Sequence, residues 1–421
     1  LPGVVLGHNA AIAWGATAVI ADTQDWFIER FDPENPLRYE TPEGWAEAEV
    51  REIEIRVRGA RAPERFRMRV TRHGPVLTDL LPEYEPEGIP WPQVGLALAW
   101  AGAQAETWWE ALLRLNQASN WEEFREALRR WPAPVLNFVY ADQEGHIGYQ
   151  MAGRIPIRRQ GHGLVPVPGW SGEFDWVGEI PFEALPFAFD PPEGLVVTAN
   201  HRIVGPRYPY FISAEWMPDH RARRIRERLE STPVLTAADC LTIQTDVVSL
   251  GALEWKPWLA RVEPRDVDEA WLLAQVKAWD GRMEAEAVAP TIVATVEWML
   301  LRRLLEPRLR SAWRRYLGES LNVFLPGHSF YRTAPHALRA LLRRGDPFWL
   351  GERSAVEWVA EAFREAVRWL RKRLGQDPAR WTWGRIHRVT LRHVLGQVPA
   401  LAPLFNRGPF PLGGDGDTPL Q

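Results

Sequence analysis

The sequence predicts an α+β fold, with strands in the first half of the chain and helices in the second. Short apolar runs and period-two alternation are concentrated before about residue 220, whereas residues 222–400 follow a helical 3.6-residue period. The chain has 421 residues, of which 46% are hydrophobic, which suffices for a large core and for two or three domains. We therefore expect a sheet-rich N-terminal part followed by a helical part.

The first predicted element is a strand, a tight turn and a second strand. Val4-Val5-Leu6 has the apolar character of a buried strand, and Ile12-Ala13-Trp14 begins the next one. Gly7 opens the turn, and Gly15 is expected to end the second strand. Because glycine lacks a Cβ, nearby backbone N–H groups can approach a ligand and stabilise an oxyanion. An ordinary β-hairpin also explains this pattern.

Further strands are predicted between residues 22 and 76. The segment 22–30 is expected to continue the opening sheet. Beyond it, apolar and charged residues alternate, which is typical of an antiparallel pair with one buried and one solvent-exposed face. The apolar positions of this pair are Ile53, Ile55, Val57, Phe66, Met68 and Val70.

Helices and strands alternate in the next part of the chain. Residues 107–130 are predicted to form two helices, with Asn120 and Glu123 as a capping box at the start of the second. Residues 136–142 form a predicted buried strand, which turns into a second strand at 146–149.

A last predicted strand precedes the helical region. It covers residues 195–200 and ends at Asn200, where asparagine is commonly a turn former. Arg221 follows at the start of a predicted helix, where a solvated arginine is a sufficient explanation.

Composition excludes several classes of protein. The formal net charge is −4 and no basic run is present, so we expect neither nucleic acid nor an anionic membrane as a partner. One cysteine allows no intramolecular disulfide. No apolar run reaches the roughly 18–20 residues of a membrane-spanning helix.

The sequences of several segments resemble the β-chain of the penicillin acylase family of N-terminal-nucleophile amidases. The run from Pro2 to Thr17, with Gly7-His8-Asn9 and Trp14-Gly15, is nearly identical to a run of that family. Further segments that resemble the family are 71–76, 136–142, 161–170, 381–387 and 405–418. The resemblance therefore covers nearly the whole chain.

The resemblance implies a specific architecture. The family fold is a four-layer αββα sandwich with a large helical insertion, which implies an αββα core over residues 1–220 and a mainly helical region over 221–400. Residues 401–421 are expected to return toward the core, in a truncated form.

The resemblance also implies the hydrolysis of linear amides, such as acyl amides or penicillin-type side chains. The nucleophile of the family is a serine that becomes N-terminal by self-cleavage, with its own α-amine as the base. This chain starts at Leu1 and does not contain that serine, so we expect a truncated β-chain, inactive alone. Its expected partners are the α-chain and the N-terminal β segment of the same precursor, in the periplasm or outside the cell.

Particular residues inherit roles from the resemblance. The backbone N–H of Ala18 and the side-chain amide of Asn200 match the oxyanion donors, and Arg221 matches an arginine near the nucleophile. His201 stands where the family often has asparagine, which leaves the local alignment open by about one residue. The positions that match the acyl pocket are small or aliphatic, which indicates an apolar acyl group; they are Leu6, Ala16, Ile20 and Leu136.

The resemblance further implies a structural calcium ion. Asp22 and Asp25 match acidic ligands of the family, and Gln24 between them could add its backbone carbonyl. The two aspartates could equally be ordinary turn residues.

Two other classes of function remain open. One is a non-catalytic, tryptophan-rich protein of the same fold that binds peptides or glycans, since the chain has 23 tryptophans. The other is a metallohydrolase that uses some of the ten histidines. His387 and His393 lie six residues apart, which places them on different faces of a helix without a zinc ligand set. His73 could be catalytic or a turn histidine bonded to the backbone.

Overall fold

The computed structural model describes residues 3–80, 93–318 and 330–420. The chain divides into two compact units, Leu1–Trp216 and Met217–Gln421, hereafter unit 1 and unit 2. Unit 1 contains most of the described strands and unit 2 most of the described helices, which confirms the predicted α+β class. The division at residues 220 and 400 stays a prediction.

Unit 1 is built from short strands and two described helices. The helices are α1 (Trp108–Gln117) and α2 (Trp121–Arg129). The described strands are β1 (Gly7–His8), β2 (Ile12–Ala18), β3 (Gln24–Arg30), β4 (Arg38–Thr41), β5 (Gly44–Glu47), β6 (Glu49–Ile55), β7 (Glu64–Thr71), β8 (Gly74–Pro75), β9 (Val94–Trp100), β10 (Leu136–Asp142), β11 (Ile147–Ala152), β12 (Pro156–Arg158), β13 (Val167–Pro168), β14 (Trp176–Glu179) and β15 (Phe187–Phe189).

The largest described sheet has the strand order β1-β2-β10-β11-β15, and all its pairs are antiparallel. Apolar side chains of β2 and β10, such as Ile12 and Phe138, pack with Leu112 and Phe124 of α1 and α2. A second buried apolar cluster contains Val19, the β11 residues Tyr149 and Met151, and residues that follow β11 in the sequence, such as Ile155 and Ile212. The strand predicted at 136–142 is confirmed.

The opening segment differs from its prediction in two ways. Val4 to Leu6 form no strand, because the side-chain amide of Asn116 bonds both the N–H and the carbonyl of Val4, at 2.6 and 2.7 Å. Gly15 does not end β2, which continues to Ala18 and pairs Gly15 with Val139. A Cβ at Gly15 would lie 3.3 Å from the Val139 side chain, so glycine here eases a close approach between strands.

The segment after β2 leaves the opening sheet. Strand β3 pairs with β9 and β13 in a separate three-stranded sheet, so the predicted continuation of the first sheet is wrong. Residues 195–200 also form no described strand. Asn200 has a φ of +62°, which is incompatible with extended backbone.

The alternating pair β6–β7 is antiparallel as predicted, with Ile53 opposite Phe66. Only part of its apolar face is covered. Met68 is buried, whereas the side chains of Ile55 and Val57 near the hairpin tip are 47% and 45% exposed. The third strand, β8, pairs only with the Val70 end of β7, so the tip extends into solvent.

Unit 2 is mainly helical around one apolar core, which includes Trp255, Leu272, Ile292, Phe363 and Trp381. Its described helices are α3 (His220–Glu230), α4 (Ala237–Gln244), α5 (Leu250–Leu253), α6 (Lys256–Leu259), α7 (Val267–Ala278), α8 (Ala289–Leu309), α9 (Trp313–Tyr316), α10 (Phe330–Arg344), α11 (Pro347–Leu350), α12 (Ala355–Leu374) and α13 (Ala402–Phe405). Two strands, β16 (Arg388–Leu391) and β17 (Arg407–Pro411), pair with each other. Among the described helices, none combines the length and apolarity needed to cross a membrane.

Candidate active site

The register of β2 determines where the backbone of Ala18 points. Ala18 lies opposite Leu136 of β10, and the next residue, Val19, donates its N–H to the Val135 carbonyl at 3.2 Å. Hydrogen-bonded and non-hydrogen-bonded pairs alternate along an antiparallel ladder. The pair Ala18–Leu136 is therefore non-hydrogen-bonded, and the N–H and carbonyl of Ala18 both point away from β10.

Asn200 lies on this outer side of Ala18. Its Nδ2 donates to the Ala18 carbonyl oxygen at 2.7 Å, across a separation of 182 positions in the sequence. The left-handed backbone at Asn200 is one that asparagine adopts more readily than most residues. The structure thus places the two residues predicted as oxyanion donors in direct contact; their catalytic roles stay predictions.

A cavity of about 490 Å³ lies beside Ala18 in unit 1. Ile20 lines it, with a φ of +61° that is unusual for a β-branched residue. The other lining residues are Ala21, Thr23, Gln24, Trp100, Gly102, Ala105, Ala133, Pro134, Val135 and Arg154.

Only one of the four predicted acyl-pocket residues lines this cavity. Ala16 and Leu136 are instead half-buried against the apolar cluster beneath α1 and α2. The Leu6 side chain is 55% exposed. An apolar acyl pocket built from all four residues is therefore not assembled within the described part of unit 1.

Arg221 belongs to unit 2, in the first turn of α3. Burial and the nearby charge of Arg332 lower the pKa of its guanidinium, and Asp417 acts in the opposite direction. Arg221 is therefore a half-buried residue of a charged cluster rather than the fully solvated helix arginine that was the alternative.

Two of the three predicted calcium ligands, Asp22 and Asp25, bind a guanidinium. Arg158 donates from Nε and Nη2 to both Asp25 oxygens, at 2.7 and 2.9 Å, and from Nη2 to Asp22 at 3.2 Å. Trp176 also donates to Asp25, at 2.5 Å. Burial, opposed by Arg158, raises the pKa of Asp22 to about 6.

This arrangement does not fit a calcium ion, which needs six to eight oxygen ligands. Both Asp25 oxygens already accept hydrogen bonds from Arg158. The described residues contain no group of three or more histidine, cysteine or acidic side chains suited to a metal. Calcium at Asp22, Gln24 and Asp25 stays a prediction from the resemblance.

Several polar contacts of unit 1 had no signal in the sequence, because their partners lie far apart. Arg158 is 133 positions from Asp25. His73 contacts Glu29 at 2.7 Å and Asp175 at 3.1 Å, so the alternative in which its ring bonds the backbone is wrong. Its ring also stacks on Phe27, with 3.7 Å between centroids.

Comparison with known proteins gives matches along the whole chain. The family model described as penicillin amidase matches residues 1–421. Penicillin acylase 2 proenzyme from Pseudomonas sp. is 33% identical over 100% of this chain and 52% of its own length. Acyl-homoserine lactone acylase QuiP from Pseudomonas aeruginosa is 30% identical over 99% of this chain and 53% of its own length. The chain thus spans about half the length of these relatives.

A solved structure matches the fold. Thermostable penicillin G acylase from Alcaligenes faecalis superimposes with a TM-score of 0.74 and 25% identity, over 91% of this chain and 71% of that one. This match confirms the predicted N-terminal-nucleophile hydrolase fold. Together with the family match over every residue, it shows that the chain belongs to the penicillin amidase family.

Proposed function

We propose that this chain is the part of an N-terminal-nucleophile amidase that supplies the oxyanion donors for cleaving linear acyl amides. The observation that carries the proposal is the 2.7 Å contact between the Asn200 amide and the Ala18 carbonyl. Both residues match family positions for these donors, and the register turns the Ala18 N–H toward the same side.

The reaction that fits these donors is acyl transfer to a serine outside this chain. The serine hydroxyl adds to the amide carbonyl while its proton passes to the serine's own α-amine. Negative charge on the carbonyl oxygen is then stabilised by the Ala18 N–H and by the Asn200 amide, which its bond to the Ala18 carbonyl holds beside that strand. The amine leaves with a proton, and water hydrolyses the remaining acyl ester. The role of Arg221 near the nucleophile stays a prediction from the resemblance.

The acyl group is proposed to be apolar. The cavity beside Ala18 has apolar walls such as Ile20 and Val135, with Trp100 at one side and Arg154 as a single cation. The cavity is not lined by Leu6, Ala16 or Leu136. A role of these three residues in binding the acyl group would require further residues of the precursor around them.

The proposed partner is the remainder of the precursor, since one relative is named a proenzyme and this chain spans about half of it. Surface composition supports a covering partner, because monomeric proteins rarely expose many neighbouring apolar side chains. Exposed apolar side chains are frequent in the segment 391–410, hereafter the apolar segment; they are Leu391, Val394, Leu395, Val398, Leu404, Phe405 and Phe410. A periplasmic or secreted location is proposed by resemblance alone.

The test is to produce this chain joined to the upstream precursor sequence and to assay phenylacetyl and fatty-acyl amides. We expect hydrolysis once self-cleavage has exposed the serine, and none from a variant in which alanine replaces that serine. A correctly cleaved protein that hydrolyses none of these amides would overturn the proposal. Binding of peptides or glycans without hydrolysis would instead favour the non-catalytic alternative.

A further inference from the structure

A chain of side-chain hydrogen bonds, buried at Asn137 and part-buried at Thr17 and Thr198, lies behind the contact between Ala18 and Asn200. The Tyr149 hydroxyl donates to Asn137 Oδ1 at 2.7 Å, and Asn137 Nδ2 donates to Thr17 Oγ1 at 3.2 Å. The Thr17 hydroxyl then donates to Thr198 Oγ1 at 2.9 Å. These four residues, hereafter the relay, all belong to unit 1.

The hydrogen bonds of the relay all have the same direction, in which each residue donates to the next, from Tyr149 to Thr198. Asn137 is completely buried, and burial raises the pKa of Tyr149 well above its ordinary value, so the phenol keeps its proton and can donate. Because Asn137 Oδ1 accepts the hydrogen bond from the phenol, the Asn137 NH₂ group faces Thr17. The Thr17 hydroxyl oxygen accepts the hydrogen bond from Asn137, and the Thr17 hydroxyl then donates to Thr198 Oγ1. A buried polar group without a partner costs about 1–3 kcal/mol, so the completely buried Asn137 depends on both of its partners.

The end of the relay reaches the residues that carry the proposed donors. Thr17 immediately precedes Ala18 in β2, and Thr198 lies two residues before Asn200. Residues 195–200 form no described strand, so no ladder fixes their backbone. The Thr17–Thr198 bond and the Asn200–Ala18 bond are two side-chain links that join this segment to β2.

We propose that Thr17, Asn137 and Thr198 are positioning residues, which hold Asn200 beside Ala18 so that both can donate to one oxyanion. The catalytic part of this inference rests on the proposed function. The geometric part, in which the hydroxyl of Thr198 orients the Asn200 amide, is independent of any activity.

The central variant is Thr198→Val, which keeps the shape of the side chain and removes the hydroxyl. Thr198→Ser keeps the hydroxyl and is the rescue variant. Thr107→Val is the matched control, because it removes another part-buried threonine hydroxyl of unit 1, one that bonds the Arg130 carbonyl. If Thr198→Val fails to fold, the pair Thr17→Val and Thr17→Ser asks the same question from β2.

The first measurement is the side-chain amide signal of Asn200 in this chain, with ¹⁵N-labelled asparagine and assignment by Asn200→Gln. We expect Thr198→Val to shift or broaden this signal, and Thr198→Ser and Thr107→Val to leave it in place. An unchanged signal in folded Thr198→Val would overturn the proposal.

The second measurement is amide hydrolysis by the extended, self-cleaved protein. Thr198→Val is expected to lower kcat about tenfold with KM within about twofold, because the donors act in the transition state. A shifted Asn200 signal with unchanged kcat would overturn the positioning role. If the extended wild type hydrolyses nothing, the amidase proposal fails, while the amide signal still decides whether the relay orients Asn200.

Discussion

At the scale of single residues, the pairing of Ala18 with Asn200 is the main finding. Spacing alone indicated only a hairpin with glycines and an asparagine at a strand end. The resemblance named both residues, and the strand register explains why the Ala18 backbone faces outward to meet Asn200. The contacts of Arg158 with Asp22 and Asp25 were not predicted, because these partners lie more than a hundred positions away in the sequence.

Removing the Arg158 charge is expected to destabilise unit 1. In Arg158→Gln, the buried Asp25 carboxylate loses its charged partner, and breaking such a pair costs roughly 3–5 kcal/mol. Urea denaturation measures the loss. The neighbouring exposed Arg159→Gln is the control and is expected to change stability by about 0.5 kcal/mol or less.

Equal midpoints for Arg158→Gln and wild type would contradict this account of the acidic pair. The same experiment tests calcium. Because Arg158 already binds both aspartates, we expect added calcium to leave the wild-type midpoint unchanged. A rise would instead support the ligand role predicted for Asp22, Gln24 and Asp25.

At the scale of elements, periodicity predicted helices and strands well where local sequence decides them. Helices α1 and α2 lie within the predicted 107–130, and α3 begins beside Arg221 as expected. Predictions failed where a distant side chain replaces a strand neighbour. Asn116 holds Val4, and the relay holds the segment before Asn200, and neither interaction leaves a local pattern.

The start of α2 shows a partial version of the predicted capping box. Asn120 accepts from the Glu123 N–H at 2.9 Å, but the Glu123 carboxylate bonds Ser119 rather than Asn120. Asn120→Ala is expected to lower the free energy of unfolding by about 1 kcal/mol, measured by urea denaturation. Asn120→Ser, which can still cap, should stay near wild type; an equal loss in both variants would contradict a capping role.

A buried charged cluster in unit 2 predicts a pH dependence of stability. Arg339 is almost completely buried and pairs with Glu254, Glu297 and Asp417 at 3.2, 2.8 and 3.2 Å. Burial, only partly opposed by Arg339, raises the pKa of Glu297 to about 7. Burial likewise raises the pKa of Asp415 to about 6.

A raised carboxyl pKa means that the folded state holds a proton that the unfolded state releases. Stability from Glu297 is therefore complete below about pH 4.5 and is lost as pH rises toward 7, by on the order of 3 kcal/mol. Glu297→Gln should flatten this decline, most clearly between pH 6 and 7, where Asp415 contributes little. Urea midpoints at several pH values measure this decline, with Glu306→Gln of α8, whose side chain is 41% exposed, as control. Parallel curves for wild type and Glu297→Gln would contradict the prediction.

At the scale of the whole molecule, the order of strands before helices followed from periodicity and composition. The N-terminal-nucleophile fold did not follow from them, because apolar periods define faces and not the stacking of layers. That step needed the resemblance of particular runs such as Gly7-His8-Asn9, and the structural match with a TM-score of 0.74 confirms it. Neither the periodicity nor the resemblance identifies the acyl group of the substrate, because Ile20 alone of the four predicted pocket residues lines the cavity beside Ala18.

The apolar segment is expected to bind the remainder of the precursor. Val394→Glu and Leu404→Glu place charges on side chains that are 76% and 66% exposed, so the chain itself should stay stable while association weakens. The association is measured by co-purification of this chain with the remainder of the precursor, after the two have been produced separately. Val234→Glu, at another highly exposed position of unit 2, is the control. Association as strong as wild type in both variants would contradict the assignment of this surface.

The oxyanion role of Asn200 is tested by the turnover of Asn200→Ala in the extended, self-cleaved protein. Loss of one preorganised oxyanion donor is expected to lower kcat by about 10²–10³-fold with little change in KM, and without loss of self-cleaved protein. A kcat within about twofold of wild type would show that Asn200 and Ala18 do not together stabilise the oxyanion.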